Sequence, residues 1–186
     1  MFLRHETATL SREVLATEIP SGAKSILPKG SQVTLMQSLG GSYTVLTEEG
    51  RMVRIDGKDG EAMGEKFITQ PEPAPEPSAP DAPFDEAKVW DELRTVFDPE
   101  IPVNIVDLGL VYLCQATELP EGGRRVEIQM TMTAPGCGMG DVLMQDVRRK
   151  VLTVPGVKEA DVQVVWDPPW DASRMSDAAR LQLGWM

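Results

Sequence analysis

Apolar and polar residues alternate in the first third of the chain and recur at helical spacing in its second half. Between residues 31 and 55 the period is two. Val33 and Leu35 share one face of Ser31–Met36, and Tyr43–Thr47 and Met52–Ile55 flank the turn Glu48-Glu49-Gly50-Arg51. Such alternation predicts half-buried strands, and a glycine turn between two of them predicts a hairpin. Gly40-Gly41 and Asp56-Gly57 mark further turns. Residues 1–70 therefore read as a small all-β domain, a curved sheet or barrel of short strands.

Beyond residue 84 the period changes. Val89, Trp90, Leu93, Val96 and Phe97 form one stripe, which predicts a helix over Asp85–Phe97 ended by Asp98-Pro99. Gly109–Gln115 reads as a strand. Arg125–Met132 reads as another, with Val126, Ile128, Met130 and Met132 facing in and Thr131 on the outward, polar face. The loop Leu119–Gly123 joins the two. Leu143, Met144, Val147 and Val151 give a helix over Gly138–Leu152, stopped by Val154-Pro155-Gly156. Ala160–Trp166 is a third strand, and Ser176 caps a short helix that reaches Leu183.

The predicted order over 84–186 is α-β-β-α-β-α, and one sheet with helices on one face is its natural two-layer solution. Between the two parts, six of the thirteen residues 71–83 are proline. That composition predicts a semi-rigid linker with nothing apolar to bury. The expected fold class is α+β: a two-layer domain preceded by a small all-β domain and a Pro-rich linker.

Composition narrows the function classes. Hydrophobic content of 41% is that of a globular protein. Net charge is −11, and the 18 Lys and Arg are dispersed without a basic stripe. This argues against nucleic acid or an anionic membrane surface as the main partner. No run of 18 apolar residues is present to span a bilayer. The first residues lack the charged-then-apolar pattern of a secretory signal, and there are only two cysteines. The expected compartment is a reducing cytoplasm with free thiols.

Candidate chemistry centres on Cys137, in the glycine-rich Thr131-Met-Thr-Ala-Pro-Gly-Cys-Gly-Met-Gly140 between a predicted strand and helix. A helix N-terminus lowers a thiol's pKa, and flanking glycines leave the backbone open to a ligand. A small buried cysteine in a tight turn fits the same residues equally well. Asp107 stands where a carboxylate would bond a loop or orient a thiol, and equally where one initiates a turn. The hydroxyls of Thr131 and Thr133 would reach a thiolate or sulfide, or simply fill a strand. Cys114 reads as core filling, on one face with Leu110 and Tyr112. The two cysteines lie 23 residues apart with no histidine between them, which is not a zinc spacing. The Trp166-Asp-Pro-Pro-Trp170 block would cover a sheet end or present a partner surface.

Three stretches, Asp98–Tyr112 (DPEIPVNIVDLGLVY), Thr131–Leu143 (TMTAPGCGMGDVL) and Trp166–Trp185 (WDPPWDASRMSDAARLQLGW), resemble the SufT-type iron–sulfur cluster assembly proteins. The likeness covers about residues 84–186, and the N-terminal β-rich extension is also similar to that branch. The resemblance implies a small α/β domain whose functional cysteine falls on Cys137, with Asp107, Thr131 and Thr133 around it. Many relatives carry proline directly after the cysteine, where this chain has Gly138.

It further implies a non-enzymatic maturation factor of the SUF type. Its cofactor would be at most a transient iron–sulfur cluster, with Cys137 as metal ligand and no stable cofactor. A cluster ordinarily takes four protein ligands. One chain supplies one or two, so a labile cluster bridging a homodimer fits, as does docking of assembly proteins and apo-clients with no cluster held. Two other classes remain open on the residues: an interaction module with a structural cysteine, and a thiol enzyme. The enzyme would need a general base that only a carboxylate such as Asp107 provides.

Overall fold

The computed structural model describes residues 6–67, 83–134 and 138–185. The chain divides into two compact units, residues 1–73 and 74–186. Most of the proline-rich stretch 71–83 lies outside the described residues.

The first unit is one antiparallel sheet of six strands: β1 (Glu6–Thr9), β2 (Val14–Glu18), β3 (Lys24–Leu27), β4 (Gln32–Leu39), β5 (Ser42–Thr47) and β6 (Met52–Asp56). Their order is β1-β4-β5-β6-β2-β3. Ala8 on one edge strand and Leu27 on the other join the same core as Val33, Tyr43, Val45, Val53 and Ile55, so the sheet curls round on itself. A 3-10 segment, Gly57–Met63, adds Ala62 and Met63 to that core. Phe67 follows, its ring 5.8 Å from that of Tyr43 in edge-to-face contact, while the Tyr43 hydroxyl donates to the Phe67 carbonyl. The period-two reading located β4, β5 and β6. It missed β1 and β3, which are only four residues long, and β2, where Ala16 and Thr17 are both buried and break the alternation.

The second unit runs α1 (Glu86–Leu93), β7 (Val111–Glu118), β8 (Arg124–Met130), α2 (Gly140–Val151), β9 (Val157–Val164) and α3 (Asp177–Leu183). β7 and β8 pair antiparallel, and β8 and β9 pair parallel through the α2 crossover. The molecule is thus a mixed α/β protein. Val126, Ile128 and Met130 on β8 are fully buried, together with Val89 and Leu93 of α1 and Leu143, Val147 and Val151 of α2. The Ser176 hydroxyl accepts from the Ala179 N–H as the cap of α3.

Three local expectations are corrected. α1 stops at Leu93 rather than Phe97, because Phe97 turns into an extended bridge with Asn104 and the Ile105 N–H bonds the Val96 carbonyl. The strand β7 begins at Val111, since Gly109 sits at φ +70° in the preceding turn. A bulge at Tyr112 then shifts the register, so that Val111 faces Met130 but Cys114 faces Ile128. Cys114 is half-buried on the core side of the sheet. Tyr112 leaves that row: its hydroxyl donates to the Pro168 carbonyl and its ring lies 4.5 Å from the Arg174 guanidinium.

Candidate functional site

Three segments meet at one end of the three-stranded sheet, and of the predicted site residues they carry Asp107, Thr131 and Thr133. The segments are the loop before β7, the chain leaving β8, and the start of α2. The Thr131 N–H donates to the Leu110 carbonyl at 2.8 Å, and the Val165 N–H to the Met130 carbonyl at 2.8 Å. A side-chain carbon at Gly140, the first residue of α2, would lie 4.0 Å from both Met132 and Val164.

The loop holding Asp107 is built by Asn104. The Asn104 Oδ1 accepts the N–H groups of Val106 (3.1 Å) and Asp107 (2.9 Å), while its Nδ2 donates to Asp107 Oδ2 at 2.6 Å. A short amide thus satisfies two backbone donors and fixes the direction of the carboxylate. The C-terminal segment clamps the same loop from outside. The Ser176 N–H donates to the Asp107 carbonyl, and the Trp170 indole Nε1 to the Leu108 carbonyl, both at 2.8 Å. At Gly109 the approach is so close that a Cβ would stand 2.3 Å from the Arg174 carbonyl oxygen. Sequence reasoning missed Asn104. The N-x-x-D spacing of an Asx turn was the available signal.

Thr131 differs from expectation. It is buried, 1% exposed, rather than on an outward polar face. β8 ends at Met130, and the loop before β7 runs against the next residue and covers it. Thr133 is half-buried. Cys137 lies outside the described residues. Met139 is the N-cap of α2, so Cys137 precedes the cap by two residues in sequence.

The stretch leading into this loop carries two further carboxylates, Asp98 and Glu100, while Arg174 of the clamping segment stands over the Tyr112 ring. Asp98 is 2% exposed, and its Oδ1 accepts the N–H groups of Glu100 and Ile101, both at 2.9 Å. Burial pushes its pKa above the ordinary carboxylate value, against the lowering effect of those two bonds. Glu100 is raised too, by burial and then by the charge of Asp98. The Cys114 thiol is pushed up to about 11 by burial, with Glu86 adding to the effect, so it is protonated at neutral pH. Among the described residues no three His, Cys, Asp or Glu side chains stand together as a metal site. Nor is any described helix long and apolar enough to cross a membrane.

Comparison with known proteins gives the class. The family profile described as iron–sulfur cluster assembly protein matches residues 86–164. An Fe-S protein maturation auxiliary factor of Porphyromonas gingivalis is 45% identical over 94 residues, which cover 50% of this chain and 86% of that protein. The Fe-S protein maturation auxiliary factor SufT of Staphylococcus aureus is 38% identical over 89 residues, covering 48% and 97%. A crystal structure of a domain of unknown function from Bacillus anthracis superposes with a TM-score of 0.50 at 44% identity, covering 54% of this chain and 92% of that one. The chain belongs to the iron–sulfur cluster assembly protein family.

Proposed function

We propose that this protein is an iron–sulfur maturation factor that assists cluster delivery to apo-proteins, acting as carrier or adaptor rather than as an enzyme. The single observation carrying this reading is the convergence at one end of the sheet. The segment that leads to Cys137 bonds the end of the Asn104-ordered loop that presents Asp107, and the start of α2 that follows Cys137 packs on that segment at Met132. The names of the relatives support the same class. In this reading residues 84–186 form the working domain, 71–83 a tether and 1–70 an accessory β domain, in a cytoplasmic protein. The partners are other assembly proteins and apo-clients.

Cys137 is the ligand to the transferred cluster or iron, and Asp107, Thr131 and Thr133 surround it. A thiolate is the ordinary cluster ligand, and the cluster is cargo. The buried Thr131 serves through its position at the end of β8, fixing where the cysteine turn departs. Cys114 is no second ligand in this scheme, because a half-buried thiol with a pKa of about 11 is held in its neutral form. With one thiolate per chain, a bridging cluster between two protomers completed by small thiols supplies the remaining ligands.

The test is anaerobic reconstitution with iron and sulfide, comparing wild type with Cys137→Ser by visible absorption and size in solution. Cysteine-dependent absorption with a shift to dimer is expected for a carrier. No absorption in either protein would leave the adaptor role. Target maturation by Cys137→Ser equal to wild type would overturn the role of the cysteine in both.

A further inference from the structure

Both peptide groups that flank Asp107 are bonded at N–H and at carbonyl. In the one before it, the Asp107 N–H donates to Asn104 Oδ1 and the Val106 carbonyl accepts from the Gly109 N–H, both at 2.9 Å. In the one after it, the Leu108 N–H donates to the Asn104 carbonyl at 3.0 Å and the Asp107 carbonyl accepts from the Ser176 N–H at 2.8 Å. The next carbonyl, of Leu108, accepts from the Trp170 indole at 2.8 Å. The bonds within 104–109 travel with the loop. Those from Ser176 and Trp170 tie it to a separate segment, and of these two only Trp170 uses a side chain.

The carboxylate is held on one oxygen. Asn104 Nδ2 donates to Oδ2 at 2.6 Å, while Oδ1 has no partner among the described residues. Asp107 is half-buried, so Oδ1 is open to a ligand. Where that oxygen stands depends on the peptides beneath it. Trp170 is itself fixed from both sides. Pro168 and Pro169 restrict the chain before it, and the Tyr112 hydroxyl bonds the Pro168 carbonyl at 3.0 Å. Beyond it Met175 is buried, at 4% exposed.

We propose that Trp170 is a positioning residue for Asp107: its indole N–H holds the Leu108 carbonyl and so sets where the open carboxylate oxygen stands. The inference rests on the reading of Asp107 as a neighbour of the bound cluster. Tryptophan is required here for its one donor, because phenylalanine brings an aromatic ring without it.

The test uses the full chain with 3-benzothienylalanine at position 170, which replaces the indole N–H by sulfur and keeps the bicyclic ring. Trp170→Phe is the second variant. The readouts are the Asn104 side-chain amide resonances, taken by NMR without iron, and the lifetime of the reconstituted cluster under a ferrous chelator. Both variants should move the Asn104 resonances and shorten the lifetime about two- to tenfold, the weight of one hydrogen bond. In an Asp107→Ala background neither change at 170 should shorten it further, whereas a merely structural role would shorten both alike. Unmoved Asn104 resonances, wild-type lifetimes in both variants, or a loss that persists in Asp107→Ala would overturn the proposal. If wild type forms no cluster, or Asp107→Ala keeps its cluster as long as wild type, the cluster reading of Asp107 fails instead, and the Asn104 resonances alone decide the positioning.

Discussion

The two units bury their cores by different means. In the first, most buried apolar side chains lie on strands, and edge strands close the core. In the second, the irregular stretch 98–110 supplies Val103, Ile105, Leu108 and Leu110, of which the last three are as buried as any residue of β8. The segment that carries Asp107 is therefore a piece of the core as well as a surface loop. A loop with that much buried side chain holds a carboxylate in one place without regular secondary structure, which is what the role proposed for Asp107 requires. The cost is that the loop has little tolerance for change.

Five substitutions sharpen this contrast. All four tryptophans lie beyond residue 84, so tryptophan fluorescence during urea unfolding reads the second unit alone. The largest effect is expected for Ile105→Ala, about 2–5 kcal/mol, the range of a buried core truncation. A cost of only a few tenths of a kcal/mol would show that the loop is not core.

Gly109→Ala comes next. Its backbone is at φ +70° and the new methyl would meet the Arg174 carbonyl, so a loss of about 2–4 kcal/mol is expected. The contrast in the first unit is Gly30, with φ +89° and open space around it, where alanine should cost about 1–2 kcal/mol of backbone strain alone. Amide hydrogen exchange compares the two units, and equal losses would remove the distinction.

Asn104→Ala deletes the amide that holds Asp107 and two backbone N–H groups, and should cost about 1–3 kcal/mol. In reconstitution it should lower cluster yield while Cys137 is untouched. Unchanged stability and yield would show that Asp107 needs no such support.

The smallest effect is pH-dependent. The folded pKa of Asp98 is raised by burial, so its ionisation opposes folding. The corresponding stability is present in full below the unfolded value of about 3.9 and is lost as pH rises through the folded pKa. Asp98→Asn keeps an acceptor for the Glu100 and Ile101 N–H groups and removes the charge. It should be at least as stable as wild type at pH 7, with that advantage gone near pH 4. An asparagine variant weaker at pH 7 than at pH 4, relative to wild type, would reverse the sign.

Much of this was legible in the residues. Period-two alternation located β4–β6, helical spacing located α1 and α2, and Ser176 announced the start of α3. Those signals are local: they depend on which side of an element faces the core. The motifs around Asp107 and Cys137 likewise stood out from sequence, as a glycine-rich turn and a carboxylate loop.

Other features depend on contacts far apart in the chain. Thr131 reads as an outward strand residue until Leu110 bonds its backbone and the loop covers it. The bulge at Tyr112 takes Tyr112 out of the row it was expected to share with Cys114, while Cys114 stays on the core side opposite Ile128. Gly109 reads as an ordinary turn glycine until the Arg174 backbone, 65 residues later, comes to rest on it. Local pattern determined most of the elements and nominated the candidate site residues. Tertiary packing alone decided which of them are buried and clamped, since close approach of distant backbone leaves no trace in local periodicity.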